Sequence, residues 1–295
     1  MKIMIFISII WKESGRIPVV KMALGEGNLV PCQLWKTNII MKSKTIIVLC
    51  LFVSISFSYA QDYKEVKRYK AHHAHQAVAV GRECFFAIEN THITKFSMDG
   101  DSLMTWHESD KERICHLNSG VVIGNKLYCA HSNYPSYPMA SSIEIFNTKT
   151  LDHVGSVSFG IDTGSCTWVL PGRNCWYVFF AHYATGSDSP SLSQLVQFDK
   201  KWRKMQAWTV PATLLKEVQP SSLSGAVLSG DTFYCTGHDA AKCYLLKIPS
   251  CGMNLEWIGE VDVPFVGQGI ALDKQGCLWG IIRDEKVIIR SSQRK

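Results

Sequence analysis

Histidine recurs in this chain at the end of one kind of strand. Leu127-Tyr-Cys-Ala-His131, Val178-Phe-Phe-Ala-His182 and Phe233-Tyr-Cys-Thr-Gly-His238 each run apolar residues into an imidazole. Phe85-Phe-Ala-Ile-Glu89 and Leu278-Trp-Gly-Ile-Ile-Arg283 place a carboxylate and a guanidinium at the same point. Three imidazoles with an oxygen donor and open positions suit a divalent metal such as zinc, manganese or iron. On this reading His131, His182 and His238 are the metal ligands, and the oxygen comes from Glu89 or the amide of Gln268. Such a metal would polarise a carboxylate or carbonyl, His75 or Glu89 would move the proton, and Arg283 would grip the substrate anion. Asn118, Asn133, Tyr134, Tyr183, Asp239 and Gln268 are the candidate substrate contacts. The same polar residues also suit a plainer role, capping strand ends and ordering channel water. His92, His107 and His153 fall on outer strands or turns and read as solvated.

What must bring these groups together is a repeat. Five times between His75 and Arg290 a small-residue strand is followed by a tight turn, an aromatic strand and a terminal polar residue. The openings are His75-Gln-Ala-Val-Ala-Val80, Asn118-Ser-Gly-Val-Val-Ile123, Gly164-Ser-Cys-Thr-Trp-Val169, Ser222-Leu-Ser-Gly-Ala-Val227 and Gly267-Gln-Gly-Ile-Ala-Leu272. A strand-only recurrence of roughly 40–50 residues predicts an all-β fold, a β-propeller with one four-stranded blade per repeat. The blades fall at about 76–106, 117–160, 164–210, 222–263 and 267–290. The last shows three strands, so Tyr63-Lys-Glu-Val-Lys-Arg-Tyr69 is expected to supply its fourth and close the ring. Five blades is the count this favours, with six as the alternative. Closure removes two sheet edges that would otherwise be exposed. The ends of the second strands then border one mouth of the central channel, as do the long connections 131–141 and 182–191.

The first 60 residues read differently. Met41-Lys-Ser-Lys44 is a basic start, Thr45 to Phe57 an apolar run of 13 residues, and Ser58-Tyr-Ala60 a cleavage signal. Residues 41–60 are therefore expected to be a signal peptide and 1–40 an upstream extension, leaving 61–295 as one exported domain, periplasmic or extracellular. Thirteen apolar residues fall short of the roughly 20 that span a bilayer. Without residues 1–60, 24 basic and 23 acidic residues remain. A balance so near zero argues against nucleic acid as a partner, and a monomer with a small-molecule or carbohydrate substrate is expected. Nine cysteines also remain; Cys129 and Cys235 read as small buried hydrophobes, while Cys166 with Cys175 and Cys243 with Cys251 are possible local bridges.

Some chemistries find little support. There is no GxSxG elbow and no phosphate-binding glycine loop. A glycosidase needs two inward carboxylates, and the strand ends offer only Glu89, with Asp239 and Asp284 one step on. Tyr134, Tyr137, Tyr183 and Trp168 are aromatic candidates for the floor of a sugar-binding mouth. At His75-Gln76, His116-Leu-Asn-Ser-Gly120, Cys129-Ala-His-Ser-Asn-Tyr-Pro135, Ser141-Ser-Ile-Glu144, Phe180-Ala-His-Tyr183 and Thr236-Gly-His-Asp239 the chain resembles exported Bacteroidota β-propellers labelled "cycloisomerase". The resemblance covers essentially all of 61–290 and implies distant kinship with propeller lactonases and carboxymuconate cyclases. The carboxylate and asparagine pattern of gluconolactonase-like propellers is missing, so their calcium site is not implied. The channel histidines look more like the metal arrangement of propeller-type uronate lyases. An exported isomerase, lyase or lactonase acting on a sugar acid or lactone is thus expected; the alternative is a non-catalytic propeller that grips a glycan or protein through 131–141 and 182–191.

Overall fold

The computed structural model describes residues 6–10, 19–23, 62–161, 163–184 and 188–293. The chain divides into two units, Met1–Ile55 and Ser56–Lys295. In the first, Phe6–Ile10 and Val19–Ala23 form an antiparallel hairpin with Phe6 opposite Ala23. The expected signal peptide, 41–60, lies outside the described residues. No helix among the described residues is long and apolar enough to cross a membrane.

The second unit holds five four-stranded antiparallel sheets. Blade one is Ala77–Val80, Cys84–Glu89, His92–Ser97 and Ser102–His107. Blade two is Leu117–Ile123, Lys126–Ser132, Ser141–Asn147 and His153–Gly160. Blade three is Ser165–Pro171, Cys175–Ala181, Gln194–Asp199 and Lys204–Thr209. Blade four is Gly225–Ser229, Thr232–Thr236, Lys242–Lys247 and Glu256–Asp262. Blade five joins Ala271–Leu272, Leu278–Ile282 and Val287–Gln293 to Tyr63–Lys70. The expected closure is therefore present, with Val287 opposite Lys70 and Gln293 opposite Tyr63. Tyr69 stacks on Trp279 at 5.4 Å and meets Phe85 at 4.8 Å, so the joint is a packed aromatic seam between blades five and one.

Burial explains the residue choice along each blade. Second strands touch neighbours on both faces and are apolar almost throughout, as in Cys175–Ala181. Outermost strands alternate, as the half-buried and exposed positions of His153–Gly160 show, because one face meets water. Innermost strands carry small residues because they crowd the axis. A Cβ at Gly225 would lie 2.4 Å from the Gln268 carbonyl oxygen, and one at Gly269 would lie 2.4 Å from the Ala77 Cβ. The large aromatics fill the seams between blades. Trp168, 1% exposed, stacks on Phe179 and leans on Phe233 between blades three and four, so it forms core and not the floor of the mouth.

Two further expectations change. Residues 211–221, left without an element by the sequence, contain the helix Ala212–Val218, whose Leu214, Leu215 and Val218 are buried. All nine cysteines of the propeller are free. Cys166 pairs across with Phe180, five residues along the strand from Cys175, which separates the two thiols by roughly 16 Å at strand rise. Cys243 is buried within a third strand while Cys251 is exposed in the following turn. Cys129 and Cys235 are fully buried, as the apolar pattern around them requires.

Candidate functional site at the channel mouth

Antiparallel pairing sets the end of each second strand beside the start of its innermost strand: Ile88 opposite Ala77, His131 opposite Leu117, Ala181 opposite Ser165, and Thr236 opposite Gly225. The polar residues flanking these pairs gather at one face of the ring, but they do not form one set.

Blades four, five and one build a charged cluster. Arg283 donates its Nε–H to the His75 carbonyl at 3.1 Å, and both terminal nitrogens lie 3.5 Å from His238 Nε2. No carboxylate of the described residues is within ion-pair distance of this half-buried guanidinium, and burial lowers its pKa against the opposing fields of Asp239 and Asp284. His238 Nδ1 lies 2.6 Å from Asp239 Oδ1. The carboxylate can only accept, so Nδ1 carries hydrogen and the Nε2 lone pair faces Arg283. Asp239 thus orients a histidine. The His75 imidazole is held below its usual pKa by burial and by Arg283, with Glu89 and Asp284 opposing, and its Nδ1 has no partner among the described residues.

Gln268 stands beside this cluster for a reason legible in its neighbours. Its backbone adopts φ 63°, between Gly267 at φ 56° and Gly269. A Cβ at Gly267 would strike the His238 carbonyl oxygen at 2.0 Å, so only glycine lets the loop pass. A non-glycine residue in the left-handed region costs about 1–3 kcal/mol, and such strain concentrates at ligand sites. Gln268 is 4% exposed, and its Nε2 has no partner among the described residues. It is a held, buried donor.

Blades two and three build the other half, mostly closed on itself. His131 Nδ1 meets Ser142 Oγ at 2.9 Å, and that hydroxyl donates to Glu144 at 2.5 Å. Glu144 also receives Ser156 Oγ and lies 2.7 Å from His153 Nε2. His131 Nε2 accepts the Cys115 backbone N–H at 3.2 Å, and burial pushes its pKa down. His182 is held at Nδ1 by Asp188, 2.6 Å away, and at Nε2 by the Thr163 carbonyl at 3.2 Å. Asn118 donates to the Cys166 carbonyl at 2.9 Å, tying blade two to blade three. Asn133 spends both ends of its amide inside its own loop, on Pro138 O and Ala140 N–H.

Aromatic surface remains open on this side. Tyr134, 42% exposed, lies 5.1 Å from the Tyr183 ring and 5.3 Å from His116. Burial pushes the Tyr183 hydroxyl up to about 12. Burial pushes His116 down to about 4, with the fields of His131, His75 and Arg283 adding and a hydrogen bond that the ring donates to Asn118 opposing. His116 thus senses groups from both halves of the mouth.

The expected trio of metal ligands is not assembled. Second-strand ends stand one strand spacing, roughly 4.8 Å, outside the innermost ring, and the three imidazoles turn to different local partners. Among the described residues one set of three ligand types comes within 4.8 Å: His73, Glu89 and His92. Glu89 thereby belongs to a histidine group on blade one. His92 and His107, read as solvated, stack at 4.2 Å, and His153 is bound to Glu144. The pairing of His92 with His107 across two outer strands is a register fact, visible once the blade boundaries are known.

Two cavities lie at the opposite end of the channel. One of about 190 Å³ is lined by all five innermost strands through Val80, Val122, Leu170, Val227 and Leu272. A larger one of about 790 Å³ opens among the hairpin turns, beside Arg82, Lys95, Lys149 and Lys274. The small cavity along the axis is apolar, whereas the larger one among the turns is bordered by charged side chains.

No protein-family model matches the chain, and no curated protein matches it by sequence. Among solved structures, a Myxococcus xanthus glutaminyl cyclase is similar with a TM-score of 0.53 at 9% identity, over 79% of this chain and 96% of that one. The RRP9 WD40 repeats give 0.43 at 11%, over 79% and 99%. A Bacteroides caccae protein of unknown function gives 0.42 at 12%, over 70% and 69%. At 9% identity the likeness to the cyclase shows the fold alone.

Proposed function

We propose that the mouth between blades four, five and one is a proton-transfer site for a small carboxylic acid, in an exported, monomeric enzyme of isomerase, cycloisomerase or lyase type. The observation that carries this reading is the half-buried Arg283, fixed by the His75 carbonyl, without a carboxylate partner among the described residues and 3.5 Å from the lone pair of His238. A bidentate guanidinium–carboxylate contact would supply affinity and orientation together. With the acid so held, His238 Nε2, oriented by Asp239, takes a proton from the adjacent carbon. The electron pair moves toward the carboxylate, whose growing charge Arg283 and the Gln268 amide are placed to stabilise. His238 then returns the same proton to a neighbouring carbon, giving an isomer, or to a departing oxygen, giving a lyase. The resemblance to propellers labelled "cycloisomerase", and through them to lactonases, favours sugar acids and lactones as substrates. The glutaminyl cyclase likeness in fold is in keeping with a propeller that carries an enzyme.

A screen of sugar acids and lactones with the full chain, repeated with Arg283→Ala and His238→Gln, tests this. Loss of turnover by about 100-fold or more in His238→Gln, with KM little changed, is expected for a general base; Arg283→Ala should raise KM as well. Full turnover by His238→Gln removes the assignment. The second reading, glycan or protein binding through the 131–141 loop, rests on the exposure of Tyr134 and Tyr137. It expects loss of binding on shortening that loop and none in His238→Gln.

A further inference from the structure

Four imidazoles meet on blade one, at the joint where the closing strand hands over to the innermost strand. His73 stacks on His92 at 4.6 Å, His92 on His107 at 4.2 Å, and His72 sits edge-on to His73 at 5.1 Å. Glu89, one hairpin turn before His92, puts Oε2 3.5 Å from His92 Nδ1. One ligand atom from each of His73, Glu89 and His92 lies within 4.8 Å of the other two, and all three residues are half-buried. The Thr94 hydroxyl, 2.7 Å from His73 Nδ1 and 3.0 Å from the Thr105 hydroxyl, holds the His73 ring and leaves its Nε2 free. Metal-binding histidines commonly have such an outer partner, which fixes the ring.

We propose that His73, Glu89 and His92 form a zinc-class divalent metal site that fastens the ring at its closure. Two imidazoles and a carboxylate are a known zinc set, and the rings would have to draw in by roughly an ångström to reach bonds of about 2.0–2.2 Å. His107, stacked on His92, is the neighbour that can follow that movement. The consequence is mechanical. His73 lies on the connection between Tyr63–Lys70 of blade five and Ala77–Val80 of blade one, whereas Glu89 and His92 lie within blade one. A metal across them ties the closing segment to the first blade, beside the Tyr69 seam. The role is structural and does not depend on the acid site at Arg283.

The test uses the full chain, stripped with a chelator and titrated with zinc alone, reading stoichiometry by native mass spectrometry and the melting temperature. One zinc per chain and a rise of roughly 5 °C or more at a hundredfold excess over Kd are expected. His92→Gln and Glu89→Gln should weaken binding by at least about 100-fold and abolish the rise. Both variants should melt like the wild type without metal, while His153→Ala should bind zinc normally. Absence of zinc binding in the wild type overturns the proposal, as does zinc binding that survives both substitutions. Neither result bears on turnover by His238, which is read separately.

Discussion

Blades two and four each carry a histidine near the end of the second strand, one residue inside it at His131 and two beyond it at His238, yet the two face different worlds. His131 is enclosed: Ser142 and through it Glu144 take one nitrogen, and the Cys115 amide takes the other. His238 is bound on one side by Asp239 and turns its remaining lone pair to a guanidinium. His182 on blade three is enclosed like His131, by Asp188 and Thr163. Equivalent positions in a repeat therefore give equivalent places on the ring, while chemistry is decided by what the outer strands and loops supply. On the proposed reading the enclosed histidines hold structure, and the open one is available to a substrate.

The bluntest way to break this contrast is to remove the joint behind the open side. Deleting residues 61–70 strips Val287–Gln293 of its outer partner and opens the Tyr69–Trp279 seam, a loss comparable with the whole 5–15 kcal/mol stability of a domain. An aggregated or unfolded product by gel filtration and circular dichroism is expected; a monomer with unchanged melting would defeat the closure. Next in size, His182→Ala should leave Asp188, whose side chain is 3% exposed, without the hydrogen bond from the imidazole. Leaving a buried acceptor without its donor costs roughly 1–3 kcal/mol, so the midpoint should fall by several degrees in calorimetry while activity per folded molecule persists. His238→Gln should show the reverse, with melting nearly unchanged and turnover lost. If His182→Ala and His238→Gln behave alike, the division into enclosed and open histidines has no content.

The smallest effect is in pH. A histidine whose folded pKa lies below its unfolded value resists protonation when folded, so the unfolded chain binds more protons between the two. For His116 that window runs from about 4 to 6.5, and His75, His73 and His131 are shifted in the same direction. Stability should rise from pH 4 to pH 6.5 and level off above it. His116→Gln should flatten part of that slope in denaturant titrations across the range; an unchanged slope would show that His116 is not buried as neutral imidazole.

Much of the architecture was legible. Blade boundaries, the five-blade count and the closing strand follow from the alternation of small, aromatic and polar residues, because each position in a blade has a fixed burial. The helix Ala212–Val218 was not, since seven residues between two repeats carry too little periodicity to stand out. At the mouth, the repeat found the place of His131, His182, His238 and Arg283 but not their partners. Glu144 reaches His131 through Ser142 on a third strand, and Asp188 reaches His182 from a loop; neither pairing has a sequence spacing that announces it. The His73, Glu89 and His92 group was hidden for the same reason. Glu89 reads as a strand end and His92 as an outer-strand or turn residue until the closing segment lays His73 beside them.

The pairing of Tyr63 with Gln293 joins residues 230 positions apart. A chain made from its amino end must therefore hold the propeller's first strand, Tyr63–Lys70, unpaired until the last one has been synthesised. Every copy interrupted between these two strands carries the same open edge, a ready template for pairing with another chain.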